Sequence, residues 1–369
     1  MKMAGTIAAK IEGAVRAIGG SPLWRIAFES RTEELVSRVL APVLRDSRVR
    51  QRYRIGKRFL EAVRRHFPAN VGHPMYDTWL EFALSTNVRG EAAAEMVKGY
   101  RSVSGSRVLD IGCAYGGFPI AFARSGAEAV GIDINPGLLK LAAENMRDMR
   151  VPVSLYRKDI TDSTQIADLQ DFDIITCNDL IEHVEDVRAT LENIASLLRP
   201  GGLLYLQIPN ACSVRQVLKD GHYGLFGITL LSRQDAIRYF AESGYNDSYG
   251  VGNFHSLDEY LGMLVPHRIA LHDGEISNSF EYLKERIDQM SPSLELIRGG
   301  LSRCLGDDRL SVKTKQALAD ALNGYLAQAC SDLEVYHGMV DEALKARRAR
   351  SLVKRYEIEF WELICVKAS

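Results

Sequence analysis

Three glycines crowd the end of an apolar run in VLDIGCAYGG, residues 108–117, just after an acid at Asp110. Such a turn between a strand and a helix brings backbone amides and a helix N-terminus close to a ligand, and Gly112 is read as keeping the ligand's path clear. The stretch GCAYGG has Ala114 where a GxGxxG dinucleotide fingerprint has its middle glycine, the one that admits a pyrophosphate. That spacing argues against NAD and for a nucleoside without phosphates. A second acid, Asp133, lies in VGIDIN, 23 residues after Asp110 and near the spacing at which a carboxylate takes ribose hydroxyls. Two carboxylates at strand ends repel phosphate but suit a ribose and an ammonium or sulfonium group.

Groups able to take a proton near neutral pH are the next chemistry to place. Histidine is the obvious type. The candidates are His222 with Tyr223 in DGHYGLFG, His255 in GNFHSLDEY, and His73 with Tyr76 in GHPMYD. No HExxH, Cys/His cluster or acidic triad appears at ligand spacing, so no metal is expected. Asp179 and Glu182 are close in sequence and are read as solvated carboxylates.

These residues need a scaffold, and the sequence outlines one. SRVLDIGC, AEAVGIDIN, VPVSLYRKD, FDIITCND and GLLYLQIPN are short apolar runs, with helical patterns at 117–125, 136–149 and 184–199 between them. Alternating strand and helix predicts an α/β, doubly wound, mostly parallel sheet, here of seven strands. Ligands bind such sheets beyond the strands' carboxyl ends. That rule points to Asp110, Asp133, Asp159, Asn178 and Asn210. Asn135–Pro136 is a helix start and Ser232 an N-cap. A further strand is expected near 247–254, and 357–368 reads as the last strand returning to the sheet. One apolar stripe from Leu318 to Leu344 predicts helix over 312–350. The resulting plan is an N-terminal helical region over 1–104, a core over 105–255, a helical insertion over 256–352 serving as cap or dimer surface, and the last strand within 353–369.

Composition sets limits. The 369 residues are 46% hydrophobic and 25% charged, with net charge −1, as in folded soluble proteins. No uncharged apolar run reaches the roughly 18 residues of a membrane span. Lys10, Glu12 and Arg16 interrupt the apolar core that a secretion signal needs. Six scattered cysteines without a CxxC pair suit reduced thiols in a cytoplasm. Residues 1–65 hold fifteen Lys/Arg against six Asp/Glu, densest over 45–65. That stretch is read as a solvated helix face burying Val49, Tyr53, Phe59 and Leu60; peripheral binding to an anionic surface is the alternative.

The ensemble of VLDIGCAYGG, VGIDIN, RKDI (157–160), FDIITCNDLIEHV (172–184) and RPGG (199–202) resembles the class I S-adenosylmethionine-dependent methyltransferases, nearest their quinone and small-molecule branch. The resemblance covers about 105–250, with 357–368. It implies S-adenosylmethionine as cofactor, with Gly112, Cys113 and Gly116 along its methionine part and Asp110 near its amino group. Asp133 would bind the ribose hydroxyls and Ile134 would face the adenine. Asp159 would take the adenine amine beside Ile160, and the Asn178 carbonyl would lie near the ammonium. In that branch Glu182–His183 is often a structural pair, and acceptor contacts follow the fifth strand, which favours His222 and Tyr223 over His255. N-terminal helices often cover the cofactor, so Tyr76 and Trp79 are expected to close it. The implied reaction is methyl transfer to a small-molecule or glycan acceptor, at oxygen, by an enzyme that could pair as a homodimer. CNDLIEH is not an NPPY-type motif, which disfavours nucleic acid. The competing reading is a scaffold with a degenerate core.

Overall fold

The structure is a computed structural model and describes residues 47–67, 75–245, 248–274 and 279–369. His73, and the part of the basic N-terminal segment before 47, lie outside the described residues. The strands are β1 (Arg107–Ile111), β2 (Glu128–Asp133), β3 (Ser154–Arg157), β4 (Phe172–Asn178), β5 (Leu198–Pro209), β6 (Ile269–Gly274) and β7 (Phe360–Lys367). They form one seven-stranded sheet in the order β3-β2-β1-β4-β5-β7-β6. The β2–β3, β1–β4 and β4–β5 pairs are parallel, while β7 runs antiparallel to both β5 and β6. This is the mostly parallel α/β sheet that the alternating pattern predicts. Every residue of β4 is buried, as a strand covered on both faces must be.

The chain divides into two compact units. The first takes the described residues up to Ser106 together with Cys113–Arg157; the second takes Arg107–Gly112 together with Lys158–Ser369.

Within the first unit, helices α1 (Ser47–Tyr53), α2 (Lys57–His66), α3 (Tyr76–Leu84), α4 (Thr86–Lys98), α5 (Gly117–Arg124) and α6 (Pro136–Met149) accompany β2 and β3. As expected, Val49, Tyr53, Phe59 and Leu60 are buried, while Arg52, Lys57, Arg58 and Arg65 are exposed. Gly117 has a packing reason to be glycine. A Cβ there would sit 2.2 Å from the Thr86 carbonyl oxygen, and one on Gly90 would sit 2.3 Å from the Gly117 oxygen. Helices α4 and α5 therefore meet backbone to backbone, and the Gly117 amide donates to Thr86 Oγ1 at 3.2 Å.

The second unit adds α7 (Val187–Leu197), α8 (Val214–Leu218), α9 (Arg233–Glu242), α10 (Leu257–Leu264), α11 (Phe280–Asp288), α12 (Met290–Leu305), α13 (Val312–Gly338) and α14 (Glu342–Leu352). Residues from α8, α9 and α11–α14 share one apolar core, which includes Val217, Phe240, Ile287, Leu318 and Leu352. Two expectations are corrected here. Residues 248–254 hold no strand; the sixth strand is Ile269–Gly274, inside the stretch read as helical. Its sequence IALHDG gives little strand signal because β7 is its sole neighbour in the sheet order. The stripe over 312–350 is also two helices. Helix α13 stops at Gly338 and Asp341 caps α14, which leaves Val340 and Leu344 exposed.

Asn210, expected at a ligand edge, has a structural duty instead. It is fully buried, and its Nδ2 donates to the carbonyls of Lys354, Arg355 and Ile358, fixing the turn before β7. In that turn burial pushes Glu357 and Glu359 up to about 7, although Arg286 and Arg215 oppose it for the first and Arg215 for the second. A carboxyl whose folded value exceeds the unfolded 4.5 holds its proton more tightly in the fold, so its stabilising contribution is full below 4.5 and is lost as pH rises through 7. Glu359→Gln should therefore raise the melting temperature at pH 8 relative to wild type, by the equivalent of about 1–3 kcal/mol, and change it little at pH 5. Thermal melts at the two pH values read this directly.

Candidate functional site

In the first unit, Asp133 closes β2 with its carboxylate already half committed. Oδ2 accepts from the Ala114 amide at 2.9 Å and Oδ1 from the Asn135 amide at 2.8 Å. Burial pushes its pKa up, and those two amides hold it down. A carboxylate has about four acceptor positions, so roughly two remain for a ligand. Ile134 beside it is 58% exposed, an apolar surface next to the acid. Asn135 caps α6 through its Oδ1, as Asn–Pro predicts. Cys113 is buried, and a Cβ on neighbouring Gly131 would come within 3.0 Å of its sulfur, so only its backbone borders the turn. Gly116 and Ala114 both adopt positive φ, 77° and 42°. Residues distant in sequence hold that turn: Asn145 Nδ2 donates to the Tyr115 carbonyl at 2.9 Å and pairs with Asn87 through both amides. Tyr76 and Trp79 are partly buried on α3 and, like Ala114, pack against the cluster that includes Tyr115.

In the second unit, Asp110 is buried and accepts from Thr176 Oγ1 at 2.6 Å. Gly112 has φ 72°, and the nearest atom to an added Cβ is Leu180 Cδ1 at 3.1 Å. The neighbour beside Gly112 is thus Leu180, and the backbone conformation by itself calls for glycine. Asp159 Oδ1 accepts from the amide and hydroxyl of Thr161, leaving the other oxygen for a ligand. Ile160 is buried, and its carbonyl receives Asn193 Nδ2. Asn178 is the informative residue. Its side chain is buried, and neither amide atom has a hydrogen-bond partner. A buried orphan amide costs on the order of 1–3 kcal/mol, which a bound polar group would offset.

The same unit gathers the proton-handling groups. Glu182 is 1% exposed, and its Oε2 has no partner. Its Oε1 lies 3.7 Å from His222 Nε2 and 3.8 Å from His183 Nε2. The two imidazoles stand nearly perpendicular, 5.0 Å apart. Asp220 organises the loop: Oδ1 accepts from the amides of His222 and Tyr223, and Oδ2 from that of Leu225. Burial pulls His222 down, but the Glu182 carboxylate, with Asp220 and Asp179, outweighs it and leaves the imidazole above its ordinary value. Burial pushes Glu182 up, yet the two histidines win and hold it below the usual range. Glu182, His183 and His222 are also the set of three such side chains, among the described residues, whose donor atoms lie within 4.8 Å and could meet at a metal ion. Sequence spacing could not show this, because His222 stands 39 positions after His183.

His255 packs edge-on to the fully buried Tyr260, and among the described residues no hydrogen bond or ion pair joins its ring to the Glu182 group. Tyr223 follows His222, but its hydroxyl accepts from the Gly250 amide at 3.0 Å and its ring lies against Phe240, Tyr245 and Tyr249.

Residues 79–249 match a family model described as "Methyltransferase domain". This stretch is similar to a methyltransferase domain. It contains every proposed cofactor residue as well as Glu182, His183 and His222; His255 lies outside it. The ubiquinone biosynthesis O-methyltransferase of Coxiella burnetii is 36% identical over 109 residues, covering 30% of this chain and 46% of that relative. The protein of the same name from Xanthomonas campestris pv. campestris is 38% identical over 109 residues, with 30% and 45% covered. The chain thus matches under half the length of these relatives. Among solved structures, magnesium protoporphyrin IX methyltransferase from Synechocystis with bound SAH shares 15% identity at a TM-score of 0.40, over 58% of this chain and 85% of that one. An S-adenosylmethionine-dependent methyltransferase from Mesorhizobium loti shares 17% at 0.38, over 54% and 90%. Outside the matched stretch lie α1, α2, the start of α3, α10–α14, β6 and β7.

Proposed function

We propose that this protein is an S-adenosylmethionine-dependent methyltransferase that methylates a hydroxyl of a small-molecule acceptor, with His222 taking the hydroxyl proton. The observation that carries the reading is the Glu182–His222 couple: a fully buried carboxylate beside an imidazole on the loops after β4 and β5, inside the stretch similar to a methyltransferase domain. S-adenosylmethionine supplies a methyl group already activated on a sulfonium sulfur. The chain has residues that fit it. Asp133 offers its remaining acceptor positions to the ribose hydroxyls, Ile134 covers the adenine, and Asp159 takes the adenine amine beside Ile160. Asp110, the turn 112–116 and the orphan amide of Asn178 serve the methionine end.

The chain's own chemistry is proton transfer. His222 accepts the acceptor's proton as its oxygen attacks, and Glu182 stabilises the imidazolium that results. A positioned base of this kind contributes about 10²–10⁴-fold. The name of the curated relatives, O-methyltransferase, supports oxygen as the atom methylated. Phe240, Tyr245 and Tyr249 pack around the Tyr223 ring and so steady the loop that carries His222. Among the described residues no helix is long and apolar enough to cross a membrane.

Calorimetry with S-adenosylmethionine and its demethylated product tests the cofactor, and mass spectrometry of a panel of hydroxylated acceptors tests the reaction. Failure to bind either nucleoside removes the reading.

A further inference from the structure

Residues 249–252 bind the loop that carries Glu182 and His183 through backbone groups alone. The Gly252 amide donates to the Glu182 carbonyl at 2.5 Å, and the Gly250 carbonyl lies 2.8 Å from His183 Nδ1. Only glycine fits at 252, where a Cβ would stand 2.7 Å from the Val184 carbonyl oxygen. A carbonyl can only accept, so Nδ1 of His183 must carry the proton. The lone pair of neutral His183 is then on Nε2, the nitrogen facing Glu182 Oε1 at 3.8 Å. The Gly250 amide in turn donates to the Tyr223 hydroxyl at 3.0 Å, while the Tyr223 amide donates to Asp220 beside His222. Tyr245 fixes the same residue by donating its hydroxyl to the Tyr223 carbonyl at 2.5 Å. One side chain therefore links the loop of His222 to the segment that orients His183.

We propose that Tyr223 is a positioning residue: acting through Gly250, it holds neutral His183 as the Nδ1–H tautomer, so that Nε2, the nitrogen on the Glu182 side, is the one left able to take a proton beside that carboxylate. Tyr223 does not itself exchange a proton with the acceptor. This deepens the proposed reaction and rests on it for the kinetic part. It gives His183 a place in proton handling beside His222 rather than a purely structural one.

The test uses the full chain labelled with ¹⁵N-histidine, with His183→Ala assigning the signal. Two-bond ¹H–¹⁵N spectra at alkaline pH should show neutral His183 protonated at Nδ1 in the wild type, and a mixture of tautomers in Tyr223→Phe, which keeps the ring but loses the hydroxyl. With an acceptor in hand, Tyr223→Phe should lower kcat about tenfold and leave the KM for S-adenosylmethionine within about twofold. In a His183→Ala background the same substitution should cost almost nothing, because the group it orients is gone. Wild-type His183 protonated at Nε2 overturns the proposal, and so does an equal loss in both backgrounds, which marks a merely structural tyrosine. The tautomer reading needs neither cofactor nor acceptor, so it stands apart from any failure of the methyltransferase reading. It also needs only the wild type if Tyr223→Phe folds poorly.

Discussion

Replacing His222 with alanine should lower acceptor-saturated turnover by about 10²–10⁴-fold and leave affinity for S-adenosylmethionine within a few fold. The asymmetry follows from placement. His222 sits on the loop after β5, one-fifth exposed, against a carboxylate whose other neighbour of this kind, among the described residues, is His183. Among the described residues, no hydrogen bond or ion pair joins it to the groups assigned to the nucleoside. Its pH dependence has a defined sign. The Glu182 carboxylate, overcoming burial, raises the imidazole above the ordinary 6.5. Because the folded value is the higher one, protonated His222 stabilises the fold below 6.5, and that contribution fades as pH climbs through the raised value. Turnover runs the opposite way, since only neutral imidazole accepts a proton; the wild-type rate should climb through a limb lying above 6.5. The alanine variant should lose that limb. It should also melt at a lower temperature, because a buried carboxylate has lost one of two partners. His222→Gln separates the two effects, since it returns a donor to Glu182 without a titrating group: stability should recover and turnover should not. A fully active alanine variant dismisses His222 as the base.

Asp133→Ala should weaken S-adenosylmethionine and its demethylated product alike, by about 10²–10⁴-fold, from the loss of two hydrogen bonds to a charged acceptor. Calorimetry checks this. The carboxylate has a second employment, which adds a stability cost. It accepts the amides of Ala114 and Asn135, and orphaning both should cost about 1–3 kcal/mol for each amide that water does not reach. Asp133→Asn keeps one carbonyl acceptor and should fall between wild type and alanine in both affinity and melting temperature. An unchanged affinity in the alanine variant removes the ribose assignment, whatever happens to stability.

Strand ends were legible in the sequence because their causes are local. Asp133 follows an apolar run, Asn135–Pro136 starts a helix, and the alternation of strand and helix gives the parallel sheet. What escaped depends on partners far along the chain. Nothing near Asn210 announces that it will cap a turn 144 residues later, and nothing near Gly90 announces a backbone contact with Gly117. Glu182 looks solvated from its sequence neighbours, yet it is buried between His183 and His222, because the residues beside it come from the 220 and 250 regions. At Gly112 the spacing marks the turn, while the neighbour in the space a side chain would take is Leu180, distant in sequence. Strand β6 was missed since its one ladder is with a strand about ninety positions away.

That last pairing bears on how the chain matures. Strand β6 leaves the ribosome long before β7, and the four helices α11–α14 are made in between. Until β7 emerges, β6 has no ladder to join and the free edge of β5 stays open, a vulnerable interval for a nascent polypeptide. A stop codon just ahead of Phe360 would thus cost two ribbons of the sheet rather than one.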